Sequence, residues 1–430
     1  MELVNGRVFR NASWIIVSKL LQAIFAFFIG ILSARYLGPS NYGLINYAAS
    51  LVTFAFPIAQ LGLNNTLVLE FSQNPENEGR ILGTSIFMSA LSAVCCIVAV
   101  TAFSAVANMG DIETVIVVAI YSMNLLLQSM DLIQYWFQAK LLSKYSAIAL
   151  LFASILMSCF KLFLLVTEKS IYWFAACHTL EYVLIATFLM VLYRKLGGKA
   201  CAIDLTLWRS IFEKSRHYII AGLMVAFCSQ TDRIMLKNMI GDTETGYYSA
   251  SVAIATVSSF VYVAIIDSFR PIIFSSKENK QQFDHHIKVL YAIIIWISFM
   301  QSVVMTMFAD LFVGVLYGQE FAESSNILRV VVWFTTFSYL GCIRNIWMLA
   351  KDKQKYLWII NISGACLNIM MNWILIPKMG AIGASIASVC TQMFVNFIIG
   401  FVLKPIRENN ELLIHSLNPK YIMELLVRKT

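Results

Sequence analysis

The sequence predicts an all-α, polytopic membrane protein of about twelve transmembrane helices, arranged as two six-helix lobes around a central cavity. Three observations lead there. Hydrophobic residues make up 59% of the 430-residue chain and charged residues only 13%, about half the share that a soluble domain carries. The apolar residues fall into about twelve runs of roughly 20 residues, the length that crosses a bilayer. Ionisable residues sit inside several of those runs, where each costs about 2.5–3.5 kcal/mol unless it faces protein or water.

The runs lie near 12–34, 42–69, 81–107, 114–137, 145–167, 171–193, 216–239, 246–270, 287–312, 326–350, 356–376 and 381–403, each limit good to about three residues. No long hydrophilic block separates them, so a soluble enzyme domain has no room. The longest loop expected outside, about 311–326, is too short for the catalytic loops of a membrane polymerase or ligase. The net charge of +8 comes from basic residues in short loops, a membrane-orientation pattern rather than a nucleic-acid surface. Arg7, Arg10, Arg80, Lys140, Lys144, Arg194, Lys195, Lys199 and most later Lys and Arg residues fall on the side of the N-terminus. The other side holds only Arg35, Lys169, Lys237, Arg329 and Lys378. Both termini are therefore expected in the cytoplasm. The run from Trp14 to Leu32 is too long for a cleaved signal and reads as a retained helix. The nine cysteines form neither a CxxC pair nor a Cys/His cluster, so no disulfide framework, metal site or cofactor is expected.

The most basic linker, Arg194 to Arg216, falls at mid-chain. It divides the chain into a first lobe (1–195), a linker (196–215), a second lobe (216–403) and a cytoplasmic tail (404–430) with a short apolar stretch, Tyr421 to Val427. Gly38-Pro39-Ser40-Asn41-Tyr42-Gly43 joins the first two runs, and Gly241-Asp242-Thr243-Glu244-Thr245-Gly246 joins the seventh and eighth. The same Gly-x4-Gly spacing at the same place in each half indicates duplication, common among transporters.

Residues three, four and seven apart share a helix face. Polar stripes follow that spacing: Ala26, Gly30 and Ser33 after Lys19 and Gln22; Asn46, Ser50, Thr53, Pro57, Gln60 and Asn64; Asn124, Gln128, Asp131, Tyr135 and Gln138; Ser154, Ser158 and Lys161. The stripes of the second and fourth runs read as cavity lining. Those of the eleventh (Asn361, Gly364, Asn368, Asn372) and twelfth (Ser385, Ser388, Gln392, Asn396) read as helix–helix packing.

Eight charges lie at bilayer depth: Lys19, Lys161, Arg233 and Arg344, and Asp131, Glu181, Asp232 and Asp267. Fixed cations in a low-dielectric cavity suit an anionic substrate, so Lys19, Lys161, Arg233 and Arg344 are the candidate substrate contacts, with Asn124 and Gln128 for sugars. Asp131, Glu181, Asp232 and Asp267 are candidates for ion coupling or charge balance. Adjacent Asp232 and Arg233 cannot face one way on a helix, so each needs a partner on another span. Asp267 and Arg270 stand at i and i+3 and suit a simple pair. His178, one turn before Glu181, reads as a packed histidine.

Asn11-x-x-Trp14 with Ala34-Arg35-Tyr36-Leu37-Gly38-Pro39-x-x-Tyr42-Gly43 resembles the opening of the bacterial polysaccharide flippases, Wzx-like proteins of the multidrug/oligosaccharidyl-lipid/polysaccharide exporter superfamily. Thr231-Asp232-Arg233 followed by Gly246-Tyr247-Tyr248-x-Ala250, and Asn372-Trp373-Ile374-Leu375-Ile376-Pro377 with Gly380 and Gly383-Ala384, are similar to that family's later span signatures. The resemblance implies a two-lobed transporter. It would carry undecaprenyl-diphosphate-linked O-antigen or similar repeat units across the bacterial inner membrane, alongside polymerase and chain-length machinery. The alternative is a cation-coupled multidrug exporter of the same superfamily.

Overall fold

The computed structural model describes the backbone of residues 2–418 and the side chains of residues 14–418. The side chains of Arg7, Arg10 and Asn11, and the tail from 419 with its stretch 421–427, lie outside the described residues. Every regular element among the described residues is a helix.

Among the described residues, nine helices are long and apolar enough to cross a membrane, and one bent pair makes a tenth. Two of the nine are too long for one crossing. Trp14–Ala59 has 46 residues, about 69 Å at 1.5 Å per residue, against a hydrocarbon core of about 30 Å. It breaks at Gly38 (φ 70°, ψ 172°). The second, Gln354–Val402 with 49 residues, breaks at Gly380 (φ 56°, ψ −135°). Counting each as two gives the expected twelve spans.

They are labelled in chain order: α1 and α2 before and after Gly38, α3 (Glu78–Ala107), α4 (Ile112–Ala139), α5 (Ser143–Val166), α6 (Ile171–Lys195) and α7 (Leu205–Met239). The second set is α8 (Asp242–Thr256 plus Ser259–Ser275), α9 (Lys280–Met307), α10 (Ser324–Ala350), and α11 and α12 before and after Gly380. A short amphipathic helix, α13 (Arg407–Ser416), follows.

The glycine turns explain the breaks. Gly38 and Gly241, the first glycines of the two Gly-x4-Gly motifs, both take positive φ, 70° and 135°. L-residues avoid that region, so each motif ends one helix and starts the next.

The chain forms two compact units, residues 1–230 and 231–430, and the division falls inside α7. One core joins Leu63, Leu67, Phe71, Leu82, Leu132, Phe137, Leu189 and Tyr193. The other joins Tyr262, Phe283, Tyr291, Leu340, Ile343 and Trp347.

The segment expected as a linker over 196–215 is half helix, because α7 begins at Leu205. Asp204 sets that start: its carboxylate accepts from the Thr206 amide at 3.0 Å and the Thr206 hydroxyl at 2.5 Å. The remaining residues, 196–204, are strapped to the start of α3. The Ala202 amide donates to the Gly79 carbonyl at 3.2 Å, and the Asp204 amide to Thr84 Oγ1 at 2.9 Å. Lys199 Nζ donates to the Pro75 and Glu76 carbonyls at 3.2 and 3.0 Å. The strap lies so close that a Cβ on Gly79 or Gly83 would stand 2.4 or 2.5 Å from the carbonyl oxygens of Ala200 and Ala202.

Candidate functional site

Polar stripes from four spans of the first unit converge on one cavity of about 350 Å³. Ala26, Gly30 and Ser33 of α1, Tyr42 and Asn46 of α2, Ser154, Ser158 and Lys161 of α5, and Phe174, His178 and Glu181 of α6 line it, with Tyr121 of α4. A methyl placed on Gly30 would meet no atom within 4 Å, so the glycine keeps that wall open. His178 packs against Tyr121 with ring centroids 4.6 Å apart, as its packed reading requires, yet it also faces the cavity. Lys161 and Glu181 make neither an ion pair nor a hydrogen bond among the described residues. A cavity holding an ammonium, a carboxylate, an imidazole, hydroxyls and an amide presents both charges and both hydrogen-bonding senses to a polar guest.

The second unit contains a different arrangement. Asp232 is 5% exposed and its carboxylate accepts four hydrogen bonds. Asn368 Nδ2 and Asn372 Nδ2 donate to Oδ1 at 3.0 and 2.7 Å. The Tyr248 hydroxyl donates to Oδ2 at 2.6 Å, and the Ser388 hydroxyl donates to the same oxygen. Helices α8, α11 and α12 thus each send donors to one acid on α7. Such donors stabilise a buried carboxylate that bulk water cannot reach. The Oδ1 atom of Asn372 is itself buried without a donor. Asn368, Asn372 and Ser388, read from the sequence as packing residues, therefore belong to a polar centre. The signal available was the spacing Asn368-x3-Asn372, which places two amides on one face. Nothing in it points to Asp232, 136 and 140 residues away.

Arg233 faces another way, as its adjacency to Asp232 demands. Its Nε donates to Ser249 Oγ at 3.1 Å, and its guanidinium lies 6.0 Å from the Tyr248 ring centroid. The other predicted residues are not brought to these two places. Arg344 is 4% exposed and serves the backbone of α12. That helix contains a π turn over Phe394–Ile398, and Arg344 Nη1 donates to the Val395 carbonyl within it at 2.6 Å. A π turn loosens the regular carbonyl ladder, and the guanidinium fills that need. Asn410 of α13 does the same for the Phe397 carbonyl at 2.5 Å.

Asp267 pairs with Arg270 at 3.0 Å, with both side chains about half exposed (53% and 54%). Lys19 is exposed on α1. Asn124, Gln128 and Asp131 pack along α4, where a 3₁₀ turn at Ser129–Leu132 interrupts the α-helix. Gln128 Nε2 reaches Asn124 Oδ1 at 3.5 Å, and Asp131 Oδ2 accepts from Gln134 at 2.6 Å.

Comparison with known proteins shows the family and the fold. The family described as polysaccharide biosynthesis protein matches residues 8–277. The capsular polysaccharide biosynthesis protein CapF of Staphylococcus aureus is 22% identical over 401 residues, covering 89% of this chain and 96% of CapF. The lipid II flippase MurJ, in an inward closed conformation, superposes with a TM-score of 0.70 at 13% identity, over 95% of this chain and 92% of MurJ. An inward-facing multidrug resistance transporter of the MATE family superposes at 0.69 and 14% identity, over 92% and 96% of the two chains. The MurJ and MATE likenesses establish the polytopic helical transporter fold. The match over residues 8–277, more than half of the chain, makes it a member of the polysaccharide biosynthesis protein family, as its Ala34-Arg35-Tyr36-Leu37-Gly38-Pro39 opening implies.

Proposed function

We propose that this multi-pass membrane protein is a flippase for undecaprenyl-diphosphate-linked glycan repeat units, of O-antigen or a similar polysaccharide. It moves them from the cytoplasmic to the outer leaflet of the bacterial inner membrane by alternating access of two lobes, with both termini in the cytoplasm. The observation that carries the reading is the cavity of the first unit. It holds Lys161 without an ionic partner among the described residues, beside Glu181, His178 and a set of hydroxyls. An unpaired ammonium at bilayer depth has a large incentive to meet an anion, and hydroxyls and amides match sugars. CapF, named for capsular polysaccharide biosynthesis, and MurJ, named a flippase of lipid II, support the same class. A lysine in the path opposes lipophilic cations, the cargo expected of a multidrug exporter.

In this reading Lys161 engages acidic sugars or the diphosphate, with Lys19 and Arg233 as further cations. Asp232 carries the coupling ion. Its two oxygens, the orphaned Asn372 Oδ1 and the Tyr248 and Ser388 hydroxyls are oxygen donors of the kind that proton or sodium sites use.

The test is replacement of Lys161 by Ala in a strain lacking the native gene, at matched protein level. Surface polysaccharide should fall about tenfold or more, the worth of one charged hydrogen bond of about 1.5–3 kcal/mol, while lipid-linked repeat units accumulate. Unchanged polymer removes Lys161 from the path. Deletion of the gene with no accumulation removes the flippase reading, and drug resistance on expression supports the multidrug alternative instead.

A further inference from the structure

The first unit holds a second cavity, of about 400 Å³, between α2 and α7. Its size falls within the range of small-molecule sites, about 300–1,000 Å³. Backbone irregularities converge on it. Pro57 lies inside α2 and has no N–H to give the Thr53 carbonyl. Leu61 takes φ 51°, and Gly62 takes φ 67°. A Cβ on Gly62 would stand 2.6 Å from the Ser215 carbonyl oxygen, and one on Gly222 would stand 2.8 Å from Pro57 Cβ. A positive φ at a leucine costs energy and is retained where the surrounding structure imposes it. Freed carbonyls at bilayer depth are tolerated where they line a cavity.

The lining is uncharged, with a few polar groups set in a larger apolar surface that includes Pro57, Ala221, Val225 and Ala226. Thr53, Gln60, Asn64, Asn65 and Ser229 supply hydrogen-bonding groups, Phe56 and Tyr218 supply aromatic faces, and no lining residue carries a charge. Gln60 Nε2 is held by the Gln128 carbonyl at 2.9 Å. Asn65 Nδ2 is held by Asn64 Oδ1 at 2.9 Å, which leaves Asn64 Nδ2 and Asn65 Oδ1 as donor and acceptor. The contrast with the Lys161 cavity is one of charge within a single unit. A diphosphate or an acidic sugar finds no cation here, and a prenyl chain, though matched by the apolar walls, would leave Asn64 Nδ2 and Asn65 Oδ1 without partners. Amides, a carbonyl and aromatic faces together suit the hydroxyls and C–H faces of a neutral sugar.

We propose that this cavity is a subsite for uncharged saccharide, separate from the charged cavity around Lys161. The inference rests on the flippase reading and adds the division of the glycan between a neutral and a charged subsite.

The test uses full-length protein in nanodiscs and saturation-transfer NMR, with N,N′-diacetylchitobiose as the neutral probe and glucuronic acid as the charged one. Val225 lines the cavity and is 65% exposed, so Val225→Trp fills the space without displacing core. The expected result is chitobiose binding weakened about tenfold by Val225→Trp and by the double change Asn64→Ala/Asn65→Ala, and retained in Lys161→Ala. Absence of chitobiose binding, binding indifferent to both changes, or displacement of the probe by farnesyl phosphate overturns the subsite. The first two of those results leave the flippase reading standing if gene deletion still accumulates lipid-linked glycan. Deletion without accumulation removes that reading independently.

Discussion

Replacing Asp232 with alanine should unfold the second unit at a markedly lower temperature. The change removes the acceptor of four buried donors: the Asn368 and Asn372 amides and the Tyr248 and Ser388 hydroxyls. Part of the loss repairs itself. The Tyr248 and Ser388 oxygens already stand 3.3 Å apart, and Asn372 Nδ2 lies 3.1 Å from Asn368 Oδ1. About two donors are then stranded, at about 1–3 kcal/mol each, for a total of about 2–6 kcal/mol. Over a unit of this size each kcal/mol lowers the melting temperature by about 2–4 °C, so a fall of roughly 4–24 °C is expected. Asp232→Asn keeps the shape and one acceptor oxygen, and should melt closer to the native protein while losing any dependence of transport on the coupling ion. The assay is thermal unfolding of purified protein in detergent, read by intrinsic fluorescence for both variants side by side. An alanine variant that melts within about 2 °C of the native protein would refute the donor arithmetic.

Three further outcomes follow from the geometry. Gly83→Ala puts a Cβ 2.5 Å from the Ala202 carbonyl oxygen. The strap should lift at a cost of about 1–3 kcal/mol, seen as faster amide exchange over residues 199–204. Asp267→Asn removes an exposed pair worth about 0–1 kcal/mol, and polymer export at matched expression should stay near the native level. The Thr206 hydroxyl and amide hold the Asp204 carboxyl below its ordinary range. A depressed folded value contributes stability above the ordinary carboxylate value, about 3.9, and that contribution is lost as pH falls through the lower folded value. Exchange at the start of α7 should therefore quicken below about pH 4 in the native protein, and Asp204→Asn should abolish that dependence.

The spans were legible because lipid and protein interior impose the same apolar requirement on every turn of helix, and the two paired spans announced their breaks through Gly38 and Gly380. The first-unit cavity was partly legible for a related reason. Ser154, Ser158 and Lys161 repeat at the helical period, and so do Gly30 and Ser33, so a local pattern reports a shared face. The Asp232 centre was not legible as a unit, because its donors come from three other helices and no local period links Ser388 to Asp232. Arg344 shows the converse. A cation deep in an apolar run looks the same in sequence whether it awaits a substrate or serves a carbonyl in a distorted helix. The early start of α7 turned on one cap residue, Asp204, inside a stretch whose basic composition reads as loop.

The basic peptide between α6 and α7 looks like the natural place to insert a reporter protein. Its seating over Gly79 and Gly83 argues against residues 199–204, where a graft would pry the joint from its bed. Gly197, with φ 86° and no atom within 4 Å of an added methyl, offers a berth two residues earlier.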